Sequence, residues 1–438
     1  MQTQLSRLVC AGLLALGASG SAHALTALSL DQGCDWIQAE QSAHGDTGLP
    51  DEGAKYYIAF MPTNPPAGAS VVVEGRYPQI RFFGFTLYQN LGRPVDWLSD
   101  SDLLPDEGGG RPDDRANVPY SNGYLNHYTL RVKFEDAPAV RADNVLYTGA
   151  YTTPTNSILL IRYYGPHPGA DGIGNAPLPS LSYVAPDGTR TPLADNDNPR
   201  QCKLLKTLLP LPFIASPPVV GIALPHPEFK IISYNSKLST APYPNPVSGY
   251  ARALTDLARD DMVIVRYKRP ITPVSPDAVD PDALPGPAVV TSDGGTDDAQ
   301  VRYMSVCQTT LQFTTTVDCA NDQQLIVQDD GYVNIVIAPQ RPAAATAAAG
   351  YNYLAWGSYP QALVLIRQIL AESGFAGDYQ TASLAKDAAT ALGDWYPQIT
   401  YCDEDTYNTM VRYGGAVVFD ACKTAYEAAP LAHYKLFR

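Results

Sequence analysis

The chain has 438 residues, a formal net charge of −14 and charged residues at only 17% of its composition. An acidic chain of this kind, without clusters of Lys and Arg, is a poor candidate for binding nucleic acid or anionic membrane surfaces. With 28 Tyr, 38 Pro and 34 Gly, its composition is typical of β-sandwiches or barrels rather than of alternating strands and helices.

The first 24 residues predict a secretory signal peptide. A basic start precedes an apolar run over residues 8–16, and small residues then lead to an A-x-A cleavage pattern at 22–24. The apolar run is too short to span a bilayer. A lipoprotein anchor at Cys10 is the alternative, but Arg7 stands where a lipobox has leucine. We expect cleavage after Ala24 and export to the periplasm or the extracellular space.

Six cysteines follow this segment, and an even number in an exported chain predicts disulfide bonds. A zinc site is the competing interpretation, but the chain has no CxxC pair and only six histidines in all. The pairing favoured by proximity in the sequence is Cys307–Cys319, Cys402–Cys422 and, by elimination, Cys34–Cys202.

Aromatic and β-branched runs in the first half predict the strands of a β-sandwich. In the third run, Phe83, Phe85 and Leu87 share one face, which predicts a strand with that face in a core. The predicted strands are KYYIAFM (55–61), ASVVVEG (69–75), QIRFFGFTLY (79–88), YTLRVKF (128–134) and SILLIRYY (157–164).

The second half contains runs of the same kind in the same order, which predicts an internal duplication. SILLIRYY contains Ile-Arg at Arg162, and ALVLIRQIL contains it again at Arg367. We match DMVIVRYK (261–268) with KYYIAFM, QVRYMSV (300–306) with QIRFFGF, GYVNIVIA (331–338) with YTLRVKF, and ALVLIRQIL (362–370) with SILLIRYY. The predicted fold class is therefore mainly β, with two antiparallel β-sandwich domains in tandem.

Changes in composition and in apolar spacing along the sequence set the predicted domain boundaries. After the signal peptide, we expect a first sandwich over 25–175, a proline-rich connecting region over 176–254, a second sandwich over 255–370 and a helical segment over 371–438. Within the connecting region, FKIISYN (229–235) is a further predicted strand. The prolines around it indicate a position at a sheet edge. Apolar spacing near 3.6 residues predicts helices over 381–395 and 405–429.

The segment YNYLAWGSYPQALVLIRQIL resembles the closing signature of the family catalogued as domain of unknown function 1214. In that signature an Asn-Trp-Leu-Pro segment precedes a strand that ends in Leu-Arg; Asn352, Leu354 and Arg367 match it, while Tyr353 and Ala355 depart from it. The chain is also similar to uncharacterised exported bacterial proteins with a Gly-x-Tyr-Tyr-Pro motif, here GDWYP at 393–397. The resemblance implies jelly-roll-like β-sandwiches, bacterial export and no established activity.

The sequence leaves two functional interpretations open. It has no GxSxG elbow, HExxH motif, Walker loop or CxxCH motif. The first interpretation is a non-catalytic, ligand-binding or envelope-associated β-protein, whose partner is a small molecule, a glycan or a protein. The alternative is a secreted hydrolase, metal-assisted or not, with its site in an acidic loop or an arginine-bearing cleft.

The acidic loop between Asp96 and Asp114 holds seven acids. Carboxylates at alternate positions on a loop with glycines suit calcium, and the candidate ligands are Asp96, Asp100, Asp102 and Asp106. The alternative is a solvated loop in which Asp and Ser side chains cap turns. DNDNP (195–199) is a second segment of this type.

Two arginines and three tyrosines are the candidate binding residues. Arg162 and Arg367 either bind an anion in a pocket between sheets or have a structural role, because a buried guanidinium without a partner is costly. The structural role is an ion pair or a side chain that reaches solvent from a sheet edge. Tyr120, Tyr124 and Tyr128 are spaced four residues apart. They either form a stacking surface for a ligand or are ordinary half-buried strand residues.

Overall fold

The computed structural model describes residues 33–38, 50–89, 93–106, 127–150, 157–166, 169–193, 226–233, 243–272, 299–311, 315–345 and 349–428. In these ranges the chain is mainly β, with four sheets and a short helical region near the C-terminus. The two β-sandwiches in tandem confirm the predicted fold class. The described helices do not include one long and apolar enough to cross a membrane.

The first sandwich pairs two five-stranded sheets, ordered β1-β2-β8-β4-β5 and β10-β9-β3-β6-β7. Its core lies between them and includes Val71, Phe83, Phe85 and Leu130. All its strand pairs are antiparallel except β6 with β7. The strands are β1 (Cys34–Gln38), β2 (Ala54–Phe60), β3 (Ser70–Arg76), β4 (Ile80–Gln89), β5 (Arg93–Ser99), β6 (His127–Lys133), β7 (Val145–Tyr147), β8 (Ser157–Pro166), β9 (Ser180–Val184) and β10 (Arg190–Pro192).

The second sandwich pairs sheets ordered β11-β12-β18-β14-β15 and β17-β16-β13-β19. Its core includes Val263, Val306, Trp356 and Ile366. The strands are β11 (Lys230–Ser233), β12 (Ser248–Asp256), β13 (Met262–Lys268), β14 (Val301–Thr310), β15 (Thr316–Asn321), β16 (Tyr332–Ala338), β17 (Asn352–Ala355), β18 (Gln361–Ala371) and β19 (Gln398–Cys402).

Four short helices pack on the second sandwich. They are α1 (Tyr379–Ala382), α2 (Ala388–Leu392), α3 (Glu404–Met410) and α4 (Gly415–Ala428), with 3₁₀ turns at Gly393–Trp395 and Val411–Tyr413. Asp378, Asp387 and Asp403 cap the first three helices by accepting bonds from backbone N–H groups. Val418 and Phe419 of α4 pack with Ile264 of β13, and the Cys402–Cys422 disulfide joins α4 to β19.

The two sandwiches have the same strand order, so that β1–β9 correspond to β11–β19. One predicted match was wrong: DMVIVRYK forms β13, which occupies the position of β3, whereas the counterpart of KYYIAFM (β2) is β12. Buried aliphatic runs look alike in the sequence, and β12 is harder to recognise because exposed Arg252 and Leu254 interrupt its burial. The other three matches agree with the topology.

The sandwiches extend further along the chain than the composition indicates. β9 and β10 complete the first sandwich, and β11 and β12 begin the second, although all four start within the proline-rich 176–254 region. β19 likewise lies inside the predicted helical segment and pairs with β13. These additions are mostly short strands at sheet edges, where proline is tolerated and a long apolar run is not needed.

Candidate functional site

Two reciprocal ion pairs join the sandwiches. Arg81 on β4 donates to Asp322, which follows β15, with Nη1 to Oδ2 at 2.6 Å. Arg302, the counterpart of Arg81 on β14, pairs with Asp100, which follows β5, at 3.2 Å. Each sandwich thus contributes an equivalent arginine and an equivalent aspartate to the ion pairs between them. Such reciprocity is typical of an isologous interface, and it relates the two sandwiches by an approximate twofold axis.

Both faces of the strand β4 are consequently buried. Phe83 and Phe85 point into the first core, while Phe82 packs with Tyr164, Tyr303 and Ile369 in a cluster shared by the two sandwiches. The rings of Tyr164 and Tyr303 have centroids 5.2 Å apart. The unbroken apolar run around β4 is therefore explained by two different contacts, one with the facing sheet and one with the other sandwich.

Arg367, on β18 of the second sandwich, is neutralised by a residue of the first. Asp51, which precedes β2, accepts from Arg367 Nη1 at 2.6 Å, from Ser305 Oγ at 2.5 Å and from the Tyr303 hydroxyl at 3.1 Å. The pair is buried, with the side chains 3% and 1% exposed. Burial opposes the charge of Arg367, but the carboxylate of Asp51 keeps its pKa well above the usual value.

Arg162 occupies the equivalent position on β8 of the first sandwich and has different partners. Its Nη2 donates to the Tyr88 hydroxyl and to the carbonyl of Tyr243, both at 2.7 Å, and its Nη1 donates to Thr86 Oγ1 at 3.1 Å. All three acceptors are neutral, although Arg162 is only 4% exposed. Among the described residues, no carboxylate pairs with this guanidinium.

Tyr88 supports Arg162 as a neutral phenol. Burial raises its pKa, and its hydroxyl donates to the carbonyl of Pro244 at 2.5 Å while accepting from Arg162. Pro244 and Tyr243 belong to the segment that leads into β12. The arginine of the first sandwich is thus held by a segment of the second, as Arg367 is held by a segment of the first.

The strand register identifies Asn245 as the counterpart of Asp51. Tyr56 lies opposite Arg162, and Tyr250 lies opposite Arg367; Asp51 and Asn245 each stand five residues before those tyrosines. The turns also correspond. The backbone carbonyl of Asp51 accepts from the N–H group three residues later, and its Oδ1 accepts from the N–H group two residues later. Asn245 accepts from the N–H groups at the same two spacings. The position that supplies a carboxylate to Arg367 therefore supplies an amide near Arg162.

Two further differences distinguish the arginine sites. Phe82 on β4 corresponds to Tyr303 on β14, and Gly84 corresponds to Ser305, because Gly84 faces Arg162 as Ser305 faces Arg367. The first site therefore lacks the two hydroxyl groups that bind Asp51 in the second.

A narrow cleft of about 10 Å³, which is room for about one water molecule, lies beside Arg162 between the sandwiches. The lining consists of Phe82, Gly84, Phe85, Thr86, Trp97, Leu98, Arg162, Asn245 and Val247. Asn245 is 3% exposed, and its Nδ2 has no hydrogen-bond partner. Arg162 uses three N–H groups of the five that a guanidinium carries. Trp97 is 36% exposed and forms the part of the lining nearest to solvent.

The four candidate calcium ligands have separate protein partners. Asp96 accepts from the backbone of Tyr147 and from Arg141, and Asp100 pairs with Arg302. Asp102 closes a local turn by accepting from Ser99 Oγ at 2.6 Å, and Asp106 accepts from Thr129 Oγ1 on β6 at 2.8 Å. The described part of the loop does not gather these carboxylates. Residues 107–114 and the DNDNP segment lie outside the described ranges, so the calcium site stays a prediction.

The structure places Tyr128 in the first core, where it is 1% exposed and packs against Tyr77 and Phe83. Tyr128 is therefore not part of an exposed stacking surface. Tyr120 and Tyr124 lie outside the described ranges, and their proposed role stays a prediction.

Two of the predicted disulfides are present, Cys307–Cys319 between β14 and β15 and Cys402–Cys422 between β19 and α4. Cys34 is also disulfide-bonded, but its predicted partner Cys202 lies outside the described residues. Asp51 lies near Cys307 and Cys319. This group does not suit a metal ion, because both sulfurs form a disulfide and the carboxylate is paired with Arg367.

Sequence reasoning identified Arg162 but missed the residues that define its cleft. Asn245, Gly84 and Trp97 carry no recognisable motif. A residue-by-residue alignment of the two halves of the sequence would have identified them. That alignment needed the match between β2 and β12, which we did not make.

No protein-family model and no curated protein matches the chain. The chain is similar in structure to an uncharacterised protein from Burkholderia cenocepacia, at 12% identity, a TM-score of 0.48 and coverage of 92% of this chain and 91% of that one. It is also similar to a protein from Vibrio parahaemolyticus, at 9% identity, a TM-score of 0.34 and coverage of 81% and 90%.

Proposed function

We propose that this chain is an exported, non-catalytic protein that binds a ligand or a partner where its two β-sandwiches meet, beside Arg162. The observation that carries the proposal is the buried Arg162 guanidinium, which has only neutral partners among the described residues. It lines a narrow cleft together with Asn245, whose Nδ2 group has no hydrogen-bond partner within those residues. Burying such a cation is costly, and a ligand that supplies acceptors to it would offset that cost.

The composition of the cleft supports binding rather than catalysis. Its described lining has no carboxylate, imidazole or thiol, so it offers neither a general base nor a strong nucleophile. Export is supported by the signal-like first 24 residues and by the disulfides, which persist in oxidising compartments.

The test is a ligand screen on the purified mature chain that follows thermal stability and tryptophan fluorescence. Small acids, sugars and aromatic compounds should include binders that raise the melting temperature, because a ligand that binds only the folded state stabilises it. Trp97→Phe should keep that thermal shift and remove most of the fluorescence response, which would locate the ligand at the cleft. An absence of binders, or a fluorescence response unchanged in Trp97→Phe, would contradict the proposal.

A further inference from the structure

We infer that the Arg162 site binds a single monatomic anion, chloride, between the guanidinium of Arg162 and the side-chain amide of Asn245. This inference rests on the proposed function and deepens it, because it names the chemical class of ligand that the site accepts. It follows from the direction in which the Asn245 side chain points, from the size of the cleft and from the charge of its lining.

The turn before β12 fixes the orientation of the Asn245 side chain. The N–H group two residues later donates to Oδ1 of Asn245 at 3.3 Å, and Oδ1 of Asp51 accepts in the same way at 2.9 Å. The other oxygen of Asp51, Oδ2, is the atom that binds Arg367, at 2.6 Å. In the side chain of Asn245 the equivalent atom is Nδ2, so a donor takes the place of an acceptor opposite the arginine.

Two sets of donors therefore line the same space. Asn245 is 3% exposed, and its Nδ2 has no hydrogen-bond partner among the described residues. Arg162 is 4% exposed, and its printed acceptors are the neutral oxygens of Thr86, Tyr88 and Tyr243. Donors cannot satisfy one another, and a buried donor without a partner is costly. One acceptor between Arg162 and Asn245 would bind both groups.

The cleft admits only a small acceptor. Its volume is about 10 Å³, which is room for about one water molecule. A chloride ion is little larger than a water molecule and accepts hydrogen bonds from any direction. Carboxylate, phosphate and sulfate groups contain several heavy atoms and are too large. The candidates that fit are a water molecule and a monatomic anion.

Charge distinguishes these two candidates. A water molecule would accept from Asn245 but would leave Arg162 without a counter-ion, because the described residues supply no carboxylate to it. Asp51 provides that charge to Arg367 in the other half of the molecule. An anion would supply both the acceptor and the charge, and the described lining of the cleft contains no acid that would repel it. Chloride is the common monatomic anion of biological solutions.

The experiment follows the thermal stability of the mature chain while sodium gluconate is replaced stepwise by sodium chloride at constant ionic strength. Gluconate is too large for the cleft and serves as the inert anion. An ion that binds only the folded state stabilises it, so we expect the melting temperature to rise with chloride and to level off as the site fills. A melting temperature independent of chloride would show that the space holds water only, and would overturn the inference.

Chloride NMR line widths measure binding to the same chain without any substitution. Exchange between free chloride and a protein site broadens the resonance, and a competitor that displaces the ion narrows it again. We expect bromide to displace chloride and gluconate to leave it bound. Displacement by both anions alike would contradict a site limited by size.

Asn245→Asp tests the position of the ion. In this variant a carboxylate oxygen takes the place that Oδ2 of Asp51 has beside Arg367, so the side chain becomes the counter-ion. We expect a higher melting temperature without chloride and an affinity for chloride that is lower by about tenfold or more, because the added acid repels an anion. The control is Asn408→Asp on the exposed surface of α3, which adds the same charge elsewhere and should keep the parental dependence on chloride.

The outcomes separate this inference from the proposed function. An unchanged affinity for chloride in Asn245→Asp would overturn the assignment to this site. Compounds from the ligand screen that bind with a Trp97-dependent fluorescence change, while neither chloride nor bromide affects stability, would leave the binding function standing and reject the anion. If neither halides nor the screened compounds bind, both the inference and the function fail.

Discussion

Asp51 is the residue through which the first sandwich neutralises a buried arginine of the second. It uses both carboxylate oxygens, and its three partners lie on β14 and β18. Removing one member of a buried pair leaves the other charge uncompensated, and this usually costs more than the pair itself contributes. Asp51 therefore couples the folding of the two sandwiches.

We expect Asp51→Asn to lower the free energy of unfolding by about 3–5 kcal/mol, because Arg367 would remain buried without a counter-ion. The measurement is urea unfolding followed by fluorescence. Glu74→Gln is the matched control. Glu74 pairs with Arg190 on the surface, where the two side chains are 42% and 43% exposed, and its loss should cost no more than about 1 kcal/mol. Equal losses for the two variants would contradict the structural importance of Asp51.

Asn245, the counterpart of Asp51, explains why the two arginine sites could be predicted only in part. An arginine after an aliphatic run is visible in the sequence, and it led to both Arg162 and Arg367. Whether such an arginine meets Asp51 or Asn245 depends on a turn far away in the sequence, 316 residues from Arg367 in the case of Asp51. That contact is set by the packing of two sandwiches, which local patterns do not encode.

At the scale of elements, β4 and β14 form the centre of the interface, and their two ion pairs differ in burial. The side chains of Arg81 and Asp322 are 2% and 1% exposed, whereas those of Arg302 and Asp100 are 12% and 7% exposed. Asp322 also accepts from the backbone of Met304 at 3.2 Å. The two pairs correspond in position and therefore provide a controlled comparison of burial.

We expect Asp322→Asn to destabilise the protein more than Asp100→Asn. The first substitution leaves Arg81 in a nearly dry environment, and its cost should approach about 3–5 kcal/mol. Water can reach Arg302 more easily and partly replace the lost carboxylate. Urea midpoints of the two variants, measured at one ionic strength, give the comparison. A larger loss for Asp100→Asn would show that burial does not determine the ranking.

The disulfide between β14 and β15 makes another prediction at this scale. Cys307 and Cys319 are direct cross-strand partners, 12 residues apart in the sequence. On the chain-entropy model, a loop of this size restricts the unfolded chain by about 3 kcal/mol. The double variant Cys307→Ala with Cys319→Ala should lose about that much stability in urea unfolding. Reducing agent should then have less effect on the variant than on the parent chain, and an unchanged midpoint would contradict the prediction.

Strands with a continuous apolar run could be predicted from the sequence, while most edge strands, with the exception of β11, could not. β4, β8, β14 and β18 are buried over nearly their whole length, and each was located within a few residues. Short or half-exposed strands such as β7 and β10 depend on a neighbour for their hydrogen bonds. Their sequences are compatible with loops, and only the sheet order selects the strand.

At the scale of the whole molecule, tyrosine contributes many of the buried side chains within the sandwiches and between them. Tyr164 lies in the cluster shared by the two sandwiches, 2% exposed, and accepts from the Tyr56 hydroxyl at 3.1 Å. Burial raises the pKa of Tyr164 to about 12, and burial together with Tyr88 raises that of Tyr243 to about 12. The packing of Tyr164 and Tyr243 where the sandwiches meet therefore requires neutral phenols.

This dependence predicts a loss of stability in alkali. In the unfolded chain tyrosine releases its proton near pH 10, whereas in the folded protein Tyr164 holds it until about pH 12. Above pH 10 the unfolded state binds fewer protons than the folded state, so the free energy of unfolding decreases as the pH rises. A difference of two pKa units corresponds to about 2.7 kcal/mol for this residue by pH 12, and the stabilising effect is fully present below pH 10.

The measurement is a series of urea unfolding curves between pH 8 and pH 11.5, together with a spectrophotometric titration of tyrosine. Tyr164→Phe should cost about 1 kcal/mol at neutral pH, because Tyr56 loses its acceptor, and should flatten the decrease above pH 10. Tyr413→Phe, at a side chain that is 57% exposed, should leave the slope unchanged. A parent chain whose stability stays level through pH 11, or a Tyr164→Phe variant with the parental slope, would show that the shared cluster does not depend on protonated tyrosine.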